Sequence, residues 1–315
     1  MIDIRVFGEE LFITKKSEKM QYYNQNTLIY LNGEFVKAHG AGVDLFGQSL
    51  HYGYGAFEGL RSYSTHNGTR IFKAEEHFER LEESCNAINL PYSWNNRVLI
   101  EKTYDLLAAN NLRSAYIRPL VFSGSNMHLT SSTKANIMIA AWEWGPYLGQ
   151  NLIKANISSI ERPNPKSFRV DAKISGQYIN SIMATSEAIK NGFDEALLLD
   201  QDGFVAQASS ENIFIEKDFK IYTPPLENIF PGITRQTVLE ICKKLNFEII
   251  EKKLTVDDIY QADSAFLSGT AAEIIGVKQV DHVVYKDHWE HTIGASIQRK
   301  YKNLVLEQEN YEVII

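Results

Sequence analysis

Three turn-forming dipeptides constrain the fold most, because each sits between runs of strand-like residues: Asn32-Gly33 divides LIYL from EFV, Asn67-Gly68 divides LRSYS from TRIFK, and Asp202-Gly203 divides ALLLD from FVAQ. Asn-Gly and Asp-Gly supply adjacent residues that tolerate positive φ, as a tight turn between antiparallel strands requires. Hairpins are therefore expected in both halves of the chain. Helical stripes lie between them. Phe78, Leu81, Cys85 and Ile88 recur every three or four residues over 74–88, and 95–109 carries a similar pattern. SAYIRPLVFSG (114–124), ANIMIAAWEW (135–144) and 153–160 read as strands, as do SENIFIE (210–216) and SAFLSGTAAEI (264–274), which feeds a tight turn. Tyr178–Lys190 and the stretch opening at Gly232, with Val238, Ile241, Cys242 and Leu245 on one face, read as helices. Hairpins and helices without regular strand-helix alternation point to an α+β layered fold.

A chain of 315 residues holds one large or two medium domains. GPYLGQ (145–150), a glycine-bracketed turn between two strands, is the candidate boundary. It divides a smaller N-terminal part, 1–144, from a connecting loop at 145–153 and a larger part, 154–315. Residues 1–19, ahead of a second methionine at Met20, carry no motif and stay open between an ordered extension and an upstream start. The net charge of -7 argues against a nucleic-acid partner, because phosphate backbones need clustered Lys and Arg. There is no apolar run of about 18 residues and no secretory leader, so no membrane span is expected and a cytoplasmic location is. Cys85 and Cys242 stand far apart in helical stretches, as two buried thiols of a reducing compartment, and there is no CxxC pair or metal set.

RVDAKISGQY (169–178) places Lys173 among small or neutral neighbours, five residues before Tyr178. A lysine held among few other cations can act as an amine nucleophile, although such a lysine alone is ordinarily a solvated surface residue. Other stretches supply parts that such a lysine needs. Gly232-Ile233-Thr234 opens a helix, whose free N–H groups suit a phosphate, and Ser268-Gly269-Thr270-Ala271-Ala272 offers a small-residue turn with a hydroxyl. Arg80 lies on the stripe of Phe78, Leu81 and Cys85.

Taken in order, HYGYGAFEGLRSY (51–63), HFERL (77–81), AYIRPL (115–120), AKISGQY (172–178), SSENIF (209–214), PGITR (231–235) and SGTAAEI (268–274) resemble the motif series of class IV, pyridoxal-phosphate-dependent aminotransferases. Within that family they look most like the branched-chain amino acid aminotransferases, and the similarity runs from about Asn26 onward. The resemblance implies a two-domain fold-type-IV enzyme: a smaller N-terminal domain, a larger C-terminal domain with a barrel-like β core, and pyridoxal 5′-phosphate in the cleft between them. It implies that Lys173 forms the aldimine with the cofactor and shuttles the substrate's α-proton. Arg80, the backbone of Ile233 and Thr234, and the Thr270 hydroxyl would hold the phosphate, and Tyr178 would meet the cofactor's 3′ oxygen. Tyr116 and the Thr270-Ala271-Ala272 turn would receive the substrate's α-carboxylate. Phe57, Tyr52, Trp144 and Tyr147 would wall an aromatic pocket for leucine, isoleucine or valine, with Tyr52 reaching across a homodimer interface. Glutamate must use the same pocket, and Arg118, two residues from Tyr116 on one strand face, suits its second carboxylate.

One position departs from the family. The glutamate that meets the cofactor's pyridine nitrogen is Gln207 here, in FVAQASSENIF. Glu211, the nearest acid in sequence, would lie about 13 Å away along an extended segment, too far to replace it unless the strand bulges. The readings that follow are a branched-chain aminotransferase using 2-oxoglutarate, a lyase of the same fold acting on an aminodeoxychorismate-like substrate, a D-amino acid aminotransferase, and a cofactor-binding protein of weak activity.

Overall fold

The computed structural model describes residues 22–145, 147–149 and 151–308; residues 1–19, left open above, lie outside them. The first half comprises β1 (Leu28–Leu31), β2 (Glu34–Lys37), α1 (Gln48–Tyr52), β3 (Gly55–Phe57), β4 (Leu60–Thr65), β5 (Gly68–Ile71), α2 (Ala74–Ala87), α3 (Asn96–Ala109), β6 (Ala115–Ser123) and β7 (Ala135–Trp142). Its strands form one antiparallel sheet in the order β2-β1-β7-β6-β4-β5, with β3 also paired to β6. The second half comprises β8 (Ile153–Ile157), α4 (Tyr178–Lys190), β9 (Glu195–Leu199), β10 (Val205–Ala208), β11 (Asn212–Lys217), β12 (Lys220–Thr223), α5 (Ile233–Lys244), β13 (Ile249–Glu251), α6 (Val256–Tyr260), β14 (Ser264–Gly269), β15 (Glu273–Val280), β16 (Val283–Val284) and α7 (Ile293–Val305). Its sheet runs β10-β9-β8-β15-β14-β11-β12-β13, with β16 beside β15, and is mixed: β8 is parallel to both β9 and β15.

The amphipathic stripes become cores. On α2, Phe78, Leu81 and Cys85 are fully buried and pack with Leu99 and Leu106 of α3 against Leu60, Ile117 and Ile139 of the first sheet. Burying each such leucine or phenylalanine contributes about 1.5–3 kcal/mol. Asn95 caps α3 by accepting from the Val98 N–H, so the helix starts where its stripe does. In the second half, Val238, Ile241 and Cys242 of α5 pack with Phe214, Phe266, Ile297 and Tyr301.

The turns divide into one match and two departures. Asn32-Gly33 makes the two-residue turn between β1 and β2, with φ of 48° and 107°. Between β4 and β5 the two turn residues are His66-Asn67, because Gly68 already pairs with Thr65. Asp202-Gly203 lies in a longer loop, since the Asp200 side chain accepts from the N–H groups of both Asp202 and Phe204 and holds the loop open.

Candidate active site

Lys173 is clamped where the two sheets meet. Its N–H donates to the Ser84 hydroxyl on α2, and its carbonyl accepts from the Phe57 N–H on β3. Ile174 bridges to Ala56, and the Gly176 N–H donates to the Gly53 carbonyl. Gly53 has φ of 65°, and a Cβ there would lie 2.5 Å from the Gly176 Cα, so this approach of the two chains excludes a side chain. The Lys173 Nζ lies 2.6 Å from the Tyr178 hydroxyl, 4.7 Å from the Phe230 ring centroid and 5.2 Å from that of Phe57. Tyr178 opens α4, and its ring stands edge-on to Phe57 at 4.7 Å.

A cavity of about 350 Å³ opens over this amine. Phe57, Trp144 and Tyr147 form one wall, with Tyr116 and Arg118 beside them. Arg118 donates to the Tyr116 hydroxyl at 3.2 Å and stacks on Phe57 at 4.6 Å, while its Nε is buried without a partner among the described residues. The shared strand face of 116 and 118 is thus realised. Gly59 makes room: a Cβ there would lie 2.0 Å from the Tyr116 oxygen. Ser181, Thr185, Ser209, Ser210 and Glu211 add polar groups to the lining, so the cavity is only partly aromatic.

The turn after β14 closes one end. Thr270 and Ala271 line the cavity, whereas Ala272 faces a separate cavity of about 580 Å³ on the other side of the turn. Arg61 fixes the turn: it donates to the carbonyls of Thr270 (3.1 Å) and Ala271 (2.8 Å) and to those of Trp144 (3.3 Å) and Gly145 (3.0 Å).

Behind Lys173, Arg80 sits over the Phe230 ring at 4.6 Å and donates to the Pro231 carbonyl at 2.8 Å, one residue before the N-cap of α5. No side chain caps that helix at Gly232, so the N–H groups of Ile233 and Thr234 begin an open helix start beside a guanidinium. Arg80 is held by Glu58, fully buried, through Nε at 2.6 Å and one terminal nitrogen at 2.9 Å; His77 Nδ1 lies 2.7 Å from the same carboxylate. Burial alone would raise the Glu58 pKa, but Arg80 and His77 together outweigh it and hold the carboxyl well below the usual range. Burial lowers the His77 pKa despite Glu58, so a neutral imidazole donates from Nδ1.

Gln207 lies on β10, nearly fully buried, and borders a small void next to Tyr178 and Phe230. The expected 13 Å separation of Gln207 from Glu211 does not hold. The chain reverses there, the Ala208 N–H donating to the Glu211 carbonyl at 2.9 Å, so 207 and 211 are neighbours across a turn. Burial pushes the carboxyl pKa of Glu211 up to about 8, and burial raises that of Glu195 beside it. Tyr52 is 45 % exposed, its hydroxyl on the Met127 carbonyl, and lies outside this chain's own cavity.

The residues that spacing did not single out are Glu58, His77, Arg61, Glu195 and the serines at 209 and 210. Glu58 and Arg61 stand within AFEGLR, an acid and a base three residues apart in an otherwise apolar stretch, which is the one local signal they leave.

A lysine amine held by a phenol, near an open helix start with an arginine from a neighbouring helix beside it, defines an enzyme that works through a lysine nucleophile and an anchored anion. Residues 55–280 match the family model of amino-transferase class IV, and the chain belongs to that family as a pyridoxal-phosphate-dependent aminotransferase. The branched-chain-amino-acid aminotransferase of Pseudomonas aeruginosa is 40% identical over 292 residues, 91% of this chain and 95% of that protein. That of Escherichia coli K12 is 38% identical over 263 residues, 81% and 85% of the two chains. The crystal structure of the Thermoproteus uzoniensis branched-chain aminotransferase with norvaline superposes with a TM-score of 0.87 at 36% identity, covering 90% of this chain and 96% of that one. The fold is accordingly that of the fold-type-IV aminotransferases.

Proposed function

We propose that this chain is a branched-chain amino acid aminotransferase, moving the amino group of L-leucine, L-isoleucine or L-valine reversibly to 2-oxoglutarate with pyridoxal 5′-phosphate as cofactor. The observation that carries the reading is the Lys173 Nζ, 2.6 Å from Tyr178, on the floor of a cavity with an aromatic wall and an arginine that has no carboxylate partner among the described residues. The residues suit the cofactor: the open start of α5 and Arg80 match a phosphate dianion, and the Phe230 ring, close to both Arg80 and Lys173, offers a flat face to an aromatic ring. When bound, pyridoxal phosphate supplies an aldehyde-bearing ring that accepts the amino group and the electrons of the substrate's α-carbon.

The chain's own residues do the rest. Arg80 and the N–H groups of Ile233 and Thr234 hold the phosphate, with the Thr270 hydroxyl. Tyr178 fixes the direction of the Lys173 Nζ, which takes the proton from the substrate α-carbon and returns it. Arg61, by engaging the carbonyls of Thr270 and Ala271, leaves the inner side of that turn to the α-carboxylate together with the Tyr116 hydroxyl. Phe57, Trp144 and Tyr147 exclude water around an apolar side chain. Arg118, stacked on Phe57 and with an Nε unpartnered among the described residues, takes the second carboxylate of glutamate without blocking leucine.

The assembly is a homodimer in this reading, with Tyr52 serving the partner's cavity. Leu45, Phe46, Leu50 and Leu129 support it: all are exposed close to Tyr52, an apolar surface that association would cover. The division into 1–144, a 145–153 connection and 154–315 accords with two sheets drawn from 28–142 and 153–284. Two buried free thiols, Cys85 and Cys242, accord with a reducing cytoplasm. The serine-rich wall with Glu211 favours one alternative, a same-fold lyase or aminotransferase for a more polar amino acid. Incubation with leucine and 2-oxoglutarate decides between them: formation of 4-methyl-2-oxopentanoate and glutamate is expected, and no reaction with any branched-chain amino acid refutes the proposal.

A further inference from the structure

The Gln207 side chain is pinned at both ends. Its Oε1 accepts from the Phe230 N–H at 2.7 Å and its Nε2 donates to the Ala208 carbonyl at 3.1 Å. Exchanging the two ends would set an amine against an N–H and an oxygen against a carbonyl, so these partners fix which end is which. The amide keeps one unassigned N–H.

Arg162 borders the same void of about 30 Å³, with Tyr178, Ser209 and Phe230. Its guanidinium donates to the carbonyls of Asn228 and Val170, and it has no carboxylate partner among the described residues. Burial pulls its pKa down to about 10. The nearby acids do not balance a further cation. Asp200 is committed to the N–H groups of Asp202 and Phe204 and to the Asn228 amide, and burial pushes Glu211 and Glu195 toward their neutral forms.

A ring held at Lys173 and, through a phosphate, at Arg80 would sit by Phe230, and the residue that holds the Phe230 N–H is Gln207, which would offer its free amide N–H to the ring nitrogen. Gln207 brings no carboxylate to a protonated ring nitrogen, whereas a neutral nitrogen can accept the free Nε2–H.

Resting on the function proposed above, we propose that Gln207 and Arg162 together hold the cofactor's ring nitrogen unprotonated, as the acceptor of a hydrogen bond from Gln207 Nε2. The electron-withdrawing power of the ring is then that of a neutral pyridine, and more of the proton handling falls to Lys173 and Tyr178. The test is the ¹⁵N NMR shift of holoprotein loaded with pyridoxal phosphate labelled at the ring nitrogen. The wild type is expected to give a deprotonated-pyridine shift that stays constant from weakly acidic to weakly basic pH, and Gln207→Glu, which adds a carboxylate beside Arg162, is expected to move it toward pyridinium. A pyridinium shift in the wild type overturns the proposal without reference to any variant. A protein that retains no labelled cofactor overturns instead the functional reading beneath it.

Discussion

Replacing Glu58 by glutamine removes the charge that orients Arg80 while keeping the side chain's volume. Glu58 is fully buried and receives two hydrogen bonds from Arg80, at 2.6 and 2.9 Å, and one from His77. Hydrogen bonds to a charged group contribute about 1.5–3 kcal/mol each, and breaking a buried ion pair costs about 3–5 kcal/mol. Arg80 keeps the Pro231 carbonyl and the Phe230 ring, which places the loss near the lower end, about 3 kcal/mol. That is roughly a hundredfold in the folding equilibrium. Urea denaturation of the cofactor-free protein is the assay, read as a lower midpoint at unchanged slope. Because the guanidinium then wanders, cofactor affinity falls about 10- to 100-fold as well. The pH dependence gives a second check. The folded Glu58 pKa is depressed, so its contribution is fully present above the ordinary carboxylate pKa and is lost as pH falls toward the folded value. His77, also lowered, adds instability in the same direction from below about 6.5. Wild type should therefore lose more stability on acidification than Glu58→Gln does. Equal midpoints and equal cofactor affinity for the two proteins would refute the role given to this cluster.

Three further substitutions separate the parts of the site. Tyr178→Phe removes the 2.6 Å contact with Lys173 and should lower kcat about tenfold, while the denaturation midpoint stays nearly unchanged. Arg118→Gln should lower kcat/KM for glutamate about 10- to 100-fold and leave leucine within a few fold; equal losses for both would show that Arg118 is not the second-carboxylate site. Arg61→Ala frees four carbonyls around the 270–272 turn and should raise the amino acid KM with little change in cofactor affinity, measured by fluorescence titration.

Local chemistry was legible where a residue answers to its neighbours in sequence. The Asn32-Gly33 turn, the α2 stripe and the start of α3 near residue 95 follow from spacing alone. The Asn67-Gly68 turn came out one residue early because strand pairing with Thr65, not the dipeptide, sets its register. Asp202-Gly203 opened into a longer loop because the Asp200 carboxylate gathers two N–H groups, a competition invisible in the dipeptide. The distance from Gln207 to Glu211 was overestimated for a related reason: an extended reading does not anticipate that ASS turns the chain back. Glu58 and Arg61 act across 22 and 209 residues of sequence, on Arg80 and Thr270, and no periodicity reports such pairings. The cluster of motifs brought together Lys173, Tyr178, Phe57, Tyr116, Arg118, Trp144, Tyr147, Thr270 and Ala271 around one cavity, while Ala272 turned to the other side.

The central claim is that Lys173 holds an aldehyde-bearing ring, yields it to an amino acid and moves the α-proton while the ring carries the amino group between acids. The most direct measurement is the visible absorbance spectrum of the purified holoprotein, titrated with leucine and then with 2-oxoglutarate. Loss of the lysine-bound band on adding leucine and its return on adding 2-oxoglutarate are predicted, and Lys173→Ala should abolish both changes. A spectrum indifferent to leucine, or one that responds equally without the lysine, would contradict the account.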